Sequence, residues 1–148
     1  MGPSEIDPSK YAASLFDRNF NSTQSVFAAF ATRLGMEESR ALKLASPFGG
    51  GVSRRGQVCG AVSGGLMALG LARGSDDPSG KEAAYLLGQE FLTRFESRHA
   101  SILCRDLLAV DISSDAGRQT AREKGLFKTL CPQFVGDAVE IVRAMLEE

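Results

Sequence analysis

Cys59, Cys104 and Cys131 are the residues best suited to chemistry in this chain. They lie far apart, with no CxxC and no CxxxC. An odd count without close pairs argues against a secreted disulfide framework and against a thioredoxin-type motif. What the three share is position. Gly56 reads as an N-cap that puts Cys59 in the first turn of a helix, and Ser101 does the same for Cys104. Cys131 precedes Pro132 and would itself be an N-cap. Free backbone N–H groups and the positive end of the helix dipole favour a thiolate over a thiol there. Arg54, Arg55 and Arg105 would push the same way if turned inward. Two chemistries suit thiolates so gathered. One is thiol–disulfide or electron-transfer redox work. The other is a thiolate-rich metal site, zinc or iron–sulfur, on Cys59, Cys104 and Cys131, with a fourth ligand from Ser22, His99, solvent or a second chain. The competing reading of each cysteine is a small core residue.

The stretch Phe48–Gly74, FGGGVSRRGQVCGAVSGGLMALGLARG, must position Cys59. Gly49, Gly50 and Gly51 leave the backbone too free for regular structure, so Phe48–Gly56 is expected to be a loop. With Arg54 and Arg55 at a helix start, that loop could bind an anion or nucleotide. It is not a P-loop, because no GKS or GKT follows, and no strand precedes it for a dinucleotide fold. Gln57–Ala72 is expected to be helical. Gly60 and Gly64 inside it each cost about 1 kcal/mol against alanine. With Ala68 they form a smooth stripe four residues apart. Either another helix packs closely on the stripe, including one across a homodimer, or a cofactor lies against it. Gly49, Gly50, Gly51, Arg54, Gly60 and Gly64 are therefore candidate cofactor contacts.

The remaining elements are helical. Residues 1–7 read as a flexible arm. Asp7-Pro8 starts a helix to about Arg18, with Tyr11 and Leu15 inward. Asn21 or Ser22 caps a second, to about Leu34, with Val26, Phe27, Phe30 and Leu34 on one face. Glu37–Ala45 is a short third helix. Lys81–Arg98 carries Ala84, Leu87, Phe91 and Phe95 at spacings of three and four. A short helix begins near Ser101. Asp111–Gly125 is polar and is expected to be a mobile or partner-contacting loop, with a possible helical turn after Ser114. Pro132–Glu148 closes the chain with Phe134, Val135, Ala138, Val142 and Met145 on one stripe. No β alternation and no internal repeat is visible. The expectation is all-α: one compact, single-domain bundle of about six to seven helices.

The totals agree. At 148 residues, 43% apolar and 24% charged, the chain suits one soluble domain. A net charge of −1 gives no reason to expect nucleic acid. There is no secretory leader pattern in the first ten residues and no apolar run long enough for a membrane, so a cytoplasmic location is the expectation. His99 is the one histidine, which excludes a His-rich zinc site and any triad needing two. It reads as a surface or capping residue.

The glycine loop, Cys59-Gly60-Ala61-Val62-Ser63-Gly64, Cys104-Arg105-Asp106-Leu107 and the Cys131 helix together resemble the redox-active protein family named for its C_GCAxxG_C_C pattern. The resemblance runs from about Asn21 to Leu146. It implies an all-helical fold and redox function, with iron–sulfur binding; some relatives are fused to cytochrome-type electron carriers, which implies an electron-transfer protein as partner. Two positions differ. The family's first cysteine falls in an Asn-Cys-x-Gln segment that here reads Asn21-Ser22-Thr23-Gln24, and the central motif reads Cys-Gly-Ala rather than Gly-Cys-Ala. Serine oxygen is a poorer ligand for a soft metal and forms no disulfide. The functional expectation is a small redox-active or metal-binding helical protein. The alternative is a non-catalytic homodimeric interaction module with a degenerate cysteine site.

Overall fold

The computed structural model describes residues 5–148, and those residues form an all-α fold. Among them are eight helices of five or more residues: α1 (Pro8–Asp17), α2 (Ser22–Ala31), α3 (Glu38–Ala45), α4 (Gly60–Arg73), α5 (Lys81–His99), α6 (Cys104–Leu108), α7 (Asp115–Glu123) and α8 (Cys131–Glu147). Residues 1–4 of the expected arm lie outside the described residues. The next three are engaged. Ile6 packs on the core, and Asp7 caps α1 through Lys10 N–H and bonds Arg143 of α8.

The centre is α2. Its sequence, STQSVFAAFA, is apolar or small on every side, and Thr23 and Ser25–Ala31 are all buried. A helix without a polar face has to be surrounded. α1, α3, α4 and α8 all pack on it, with α4 making the most extensive contact. A capping box starts α2. Asn21 accepts from Gln24 N–H at 2.9 Å, and Gln24 Oε1 accepts from Asn21 N–H at 3.0 Å. The same two side chains reach outward, to Ser46 O and Leu42 O, and fasten the end of α3.

The glycine stripe explains how α4 fits. A Cβ on Gly64 would lie 2.8 Å from Thr23 O and 3.0 Å from Val26 Cβ, and one on Gly60 would lie 2.7 Å from Thr23 Oγ1. The stripe is therefore occupied by α2 of the same chain. Neither a second copy nor a cofactor covers Gly64. On the next face, Gly65 admits the ring of Phe91 from α5. Phe27, Phe91, Phe95, Leu15, Leu69 and Ile141 fill the interior.

Several expectations are corrected. α2 stops at Ala31, so Leu34 falls beyond it and is 45% exposed. Helix α4 starts at Gly60 rather than Gln57, because residues 57–59 pair with 102–104. There Cys59 N–H donates to Ile102 O at 2.7 Å, Cys104 N–H to Gln57 O at 2.6 Å, and Val58 and Leu103 form an isolated antiparallel bridge. The polar 111–125 segment is mainly helix, with Ser114 Oγ accepting from Gly117 N–H to cap α7. His99 is 14% exposed at its side chain. It packs on the Phe95 and Phe134 rings and bonds Asp137 Oδ2 through Nε2 at 2.7 Å.

Candidate functional site

The Phe48–Gly56 loop is more ordered than glycine content alone suggests. Gly50, Gly51, Val52, Ser53 and Arg54 all have φ between 50° and 69°, five consecutive residues in a left-handed turn. Each non-glycine residue there costs about 1–2 kcal/mol, and a β-branched valine is least suited to it. The surroundings hold the turn in place. Ser53 Oγ donates to Pro47 O at 2.7 Å, Gly56 N–H to Gly50 O at 3.2 Å, and Gln57 N–H to Gly51 O at 2.8 Å. Gly51 is required twice, by its φ of 67° and by the place where a Cβ would go, 2.8 Å from Cys104 Cβ. Gly49 sits against Asn21, where a Cβ would fall 2.5 Å from the amide carbon. The turn thus bridges the start of α2 and the start of α6.

Around that turn lies a cavity of about 960 Å³. Cys59, Cys104 and Cys131 all line it, and so does Ser22. Each stands at a helix start: Ser22 is the first residue of α2, Cys59 the N-cap of α4, Cys104 the first residue of α6 and Cys131 the first of α8. Gly49, Gly50, Gly51, Arg54 and Gly60 line the same cavity, whereas Gly64 and His99 do not. Sequence reasoning missed Arg118, Arg122 and Lys128, which also line it, because they fall in or just after the segment expected to be loop. The signal that could have found them is the i, i+4 spacing of the two arginines behind a Ser114 cap.

The electrostatics correct one expectation. Position at a helix start was expected to favour thiolates. Instead all three thiols are pushed up. Burial raises Cys59, against the backbone N–H groups of Ala61 and Val62. Burial pushes Cys104 up to about 12, followed by the charges of Cys59 and Asp111, with Arg105 opposing. Cys131 is pushed up to about 12 by burial, then by Cys59 and Cys104. Desolvation outweighs the helix ends. The three thiols are free, and burial is the main cause that holds each of them in its neutral form.

A family model described as "Putative redox-active protein (C_GCAxxG_C_C)" matches residues 20–145. The chain belongs to this C_GCAxxG_C_C family. No curated protein and no solved structure matches it. The matched span contains Ser22, Cys59, Cys104 and Cys131, the four residues that start helices on the cavity wall. The Asn and Gln flanking Ser22 are the capping-box pair that sets the start of α2.

As for a metal, no group of three or more His, Cys, Asp and Glu side chains is arranged to hold an ion among the described residues. Three sulfurs and one hydroxyl suit a soft metal in kind, but as they stand they do not converge on a single ion such as zinc. No helix among the described residues is long and apolar enough to cross a membrane.

Proposed function

We propose that the chain works as a thiol redox protein, with Cys59, Cys104 and Cys131 sharing one centre in the cavity between the helix starts. One observation carries this reading: thiols separated by 45 and 27 residues of sequence line a single cavity. Oxidation joins two of the thiols in one S–S bond and releases two electrons and two protons; reduction returns them. The test is a thiol count on the fully reduced protein, after diamide, and after dithiothreitol. The expected counts are three, one and three, with the closed pair located by mass spectrometry. Three thiols that survive diamide untouched would overturn the reading.

An iron–sulfur cluster is the second reading. It is favoured by Ser22 lining the cavity with all three cysteines, which puts four ligand positions around one space. Cys59, Cys104 and Cys131 would hold it, with Ser22 as the fourth and weakest ligand, and the cluster would supply one-electron transfer. Anaerobic reconstitution of the wild type and of Ser22→Cys tests this through iron content and visible absorbance. The variant is expected to hold more iron per chain. Two colourless, iron-free proteins would set the cluster aside.

The cytoplasm, where thiols stay reduced, is the proposed location, and an electron-transfer protein is the proposed reductant of the oxidised cavity. A homodimer is retained on a different surface from the glycine stripe. Tyr85 and Leu86 on α5, 57% and 65% exposed, are the two most exposed large apolar side chains among the described residues, and they are the ones offered to a second copy. Light scattering of the wild type against Tyr85→Glu/Leu86→Glu decides it.

A further inference from the structure

The cavity lining carries an imbalance of charge that thiol redox chemistry does not require. Arg54, Arg118, Arg122 and Lys128 belong to it, against one carboxylate, Asp17. Arg118 is already committed, bonding Ile112 O at 2.9 Å and pairing with Asp115. Arg54, Arg122 and Lys128 have no hydrogen-bond or ion-pair partner among the described residues, and all three are exposed. They come from three separate places: the left-handed turn, α7, and the single turn Leu126–Thr129. Unpaired arginines also occur elsewhere, since Arg33, Arg40 and Arg55 are exposed without a side-chain partner, while three others are paired. Arg94 pairs with Glu90 and Glu148, Arg98 with Asp137 and Glu140, and Arg143 with Asp7. Three unpaired cations and one paired arginine thus face a single carboxylate around the cavity that also holds the thiols.

Apolar side chains share the lining: Phe16, Phe20, Leu107, Ile112 and Phe127. The volume, about 960 Å³, is that of a small-molecule site. Three like charges around such an opening focus field lines and raise the local concentration of an oppositely charged ligand. Guanidinium groups also suit carboxylate and phosphate oxygens in geometry.

We propose that this cavity is the binding site of a small organic anion, whose acid groups meet Arg54, Arg122 and Lys128 and whose apolar part lies between the phenylalanines and the cysteines. The proposal rests on the redox reading only for what the ligand meets at the sulfurs; the charge selection stands apart from it.

The experiment compares thiol labelling by three methanethiosulfonates of similar size: anionic (sulfonatoethyl), cationic (trimethylammonioethyl) and neutral (methyl). Rates are divided by those for N-acetylcysteine amide, in the wild type and in Arg122→Glu/Lys128→Glu, whose fold is checked by circular dichroism. The wild type is expected to favour the anionic over the cationic reagent by on the order of tenfold after normalisation, and the variant to lose or reverse that preference. Equal normalised rates for the two charged reagents would overturn the anion site. Labelling by the neutral reagent would still leave the thiols reachable, so the two readings fail separately. Should no reagent label the protein, thermal denaturation with inorganic pyrophosphate at fixed ionic strength decides. A rise in Tm that vanishes in Arg54→Ala/Arg122→Ala/Lys128→Ala supports the site, and no rise overturns it.

Discussion

At the scale of residues, the cysteines combine two features that pull in opposite directions. They sit at helix starts, which favour thiolates, and in a desolvated space, which favours thiols. Burial is the larger effect for all three. The expected consequence is a displaced pH–rate profile. Alkylation by iodoacetamide should climb about tenfold per pH unit through pH 10, with no plateau near the ordinary thiol value of about 8.5. A plateau by pH 9 would show that the thiols are better solvated than their surroundings imply. The helix starts were legible in sequence because N-caps and prolines are local signals: Asp7-Pro8, Asn21 with Gln24, and Cys131-Pro132 each mark an observed start. The burial was not legible, because it depends on which helices meet over the cavity. Nor was the side-by-side pairing of residues 57–59 with 102–104, a contact between segments some 45 residues apart with too little alternation to read as strands.

At the scale of elements, the contact between α2 and α4 is the one the sequence half-disclosed. Gly60, Gly64 and Ala68 announced a close approach, but a stripe of small residues does not name its partner. The partner is the buried helix of the same chain. Two glycines of α4 make opposite predictions. Gly64→Ala drives a methyl group against Thr23 O and Val26 Cβ and should cost about 1–3 kcal/mol by overpacking. Gly70→Ala meets nothing within 4 Å and should stabilise by about 0.5–1 kcal/mol through helix propensity and a stiffer unfolded chain. Thermal denaturation of both reads the sign directly. If Gly70→Ala also destabilises, the outer face of α4 has a neighbour, and the exposed Leu71 beside it is where to look for one. The α7 segment was the element least legible. Its composition is that of a solvated loop, and only the Ser114 cap and the basic i, i+4 pair set it apart.

At the scale of the whole molecule, one connected apolar cluster runs from Tyr11 of α1 to Met145 of α8 and includes Cys59 and Cys104. A chain with one such core is expected to unfold in a single step. Far-UV ellipticity and thiol exposure should therefore report the same midpoint. An earlier transition seen only by the thiols would mean that the cavity opens on its own. Core and cavity share a wall, so the apolar packing on the core side leaves the sulfurs only partly solvated. This ties electrons to protons. A dithiol protonated up to about pH 12, as burial keeps Cys104 and Cys131, gives up two protons with its two electrons. Its midpoint potential should then fall in a straight line of about 59 mV per pH unit from pH 6 past pH 9. An ordinary dithiol would flatten over the upper part of that range, and redox titration at several pH values separates the two. Such a cavity handles hydrogen atoms rather than bare electrons, and a one-electron partner would have to wait on its protons.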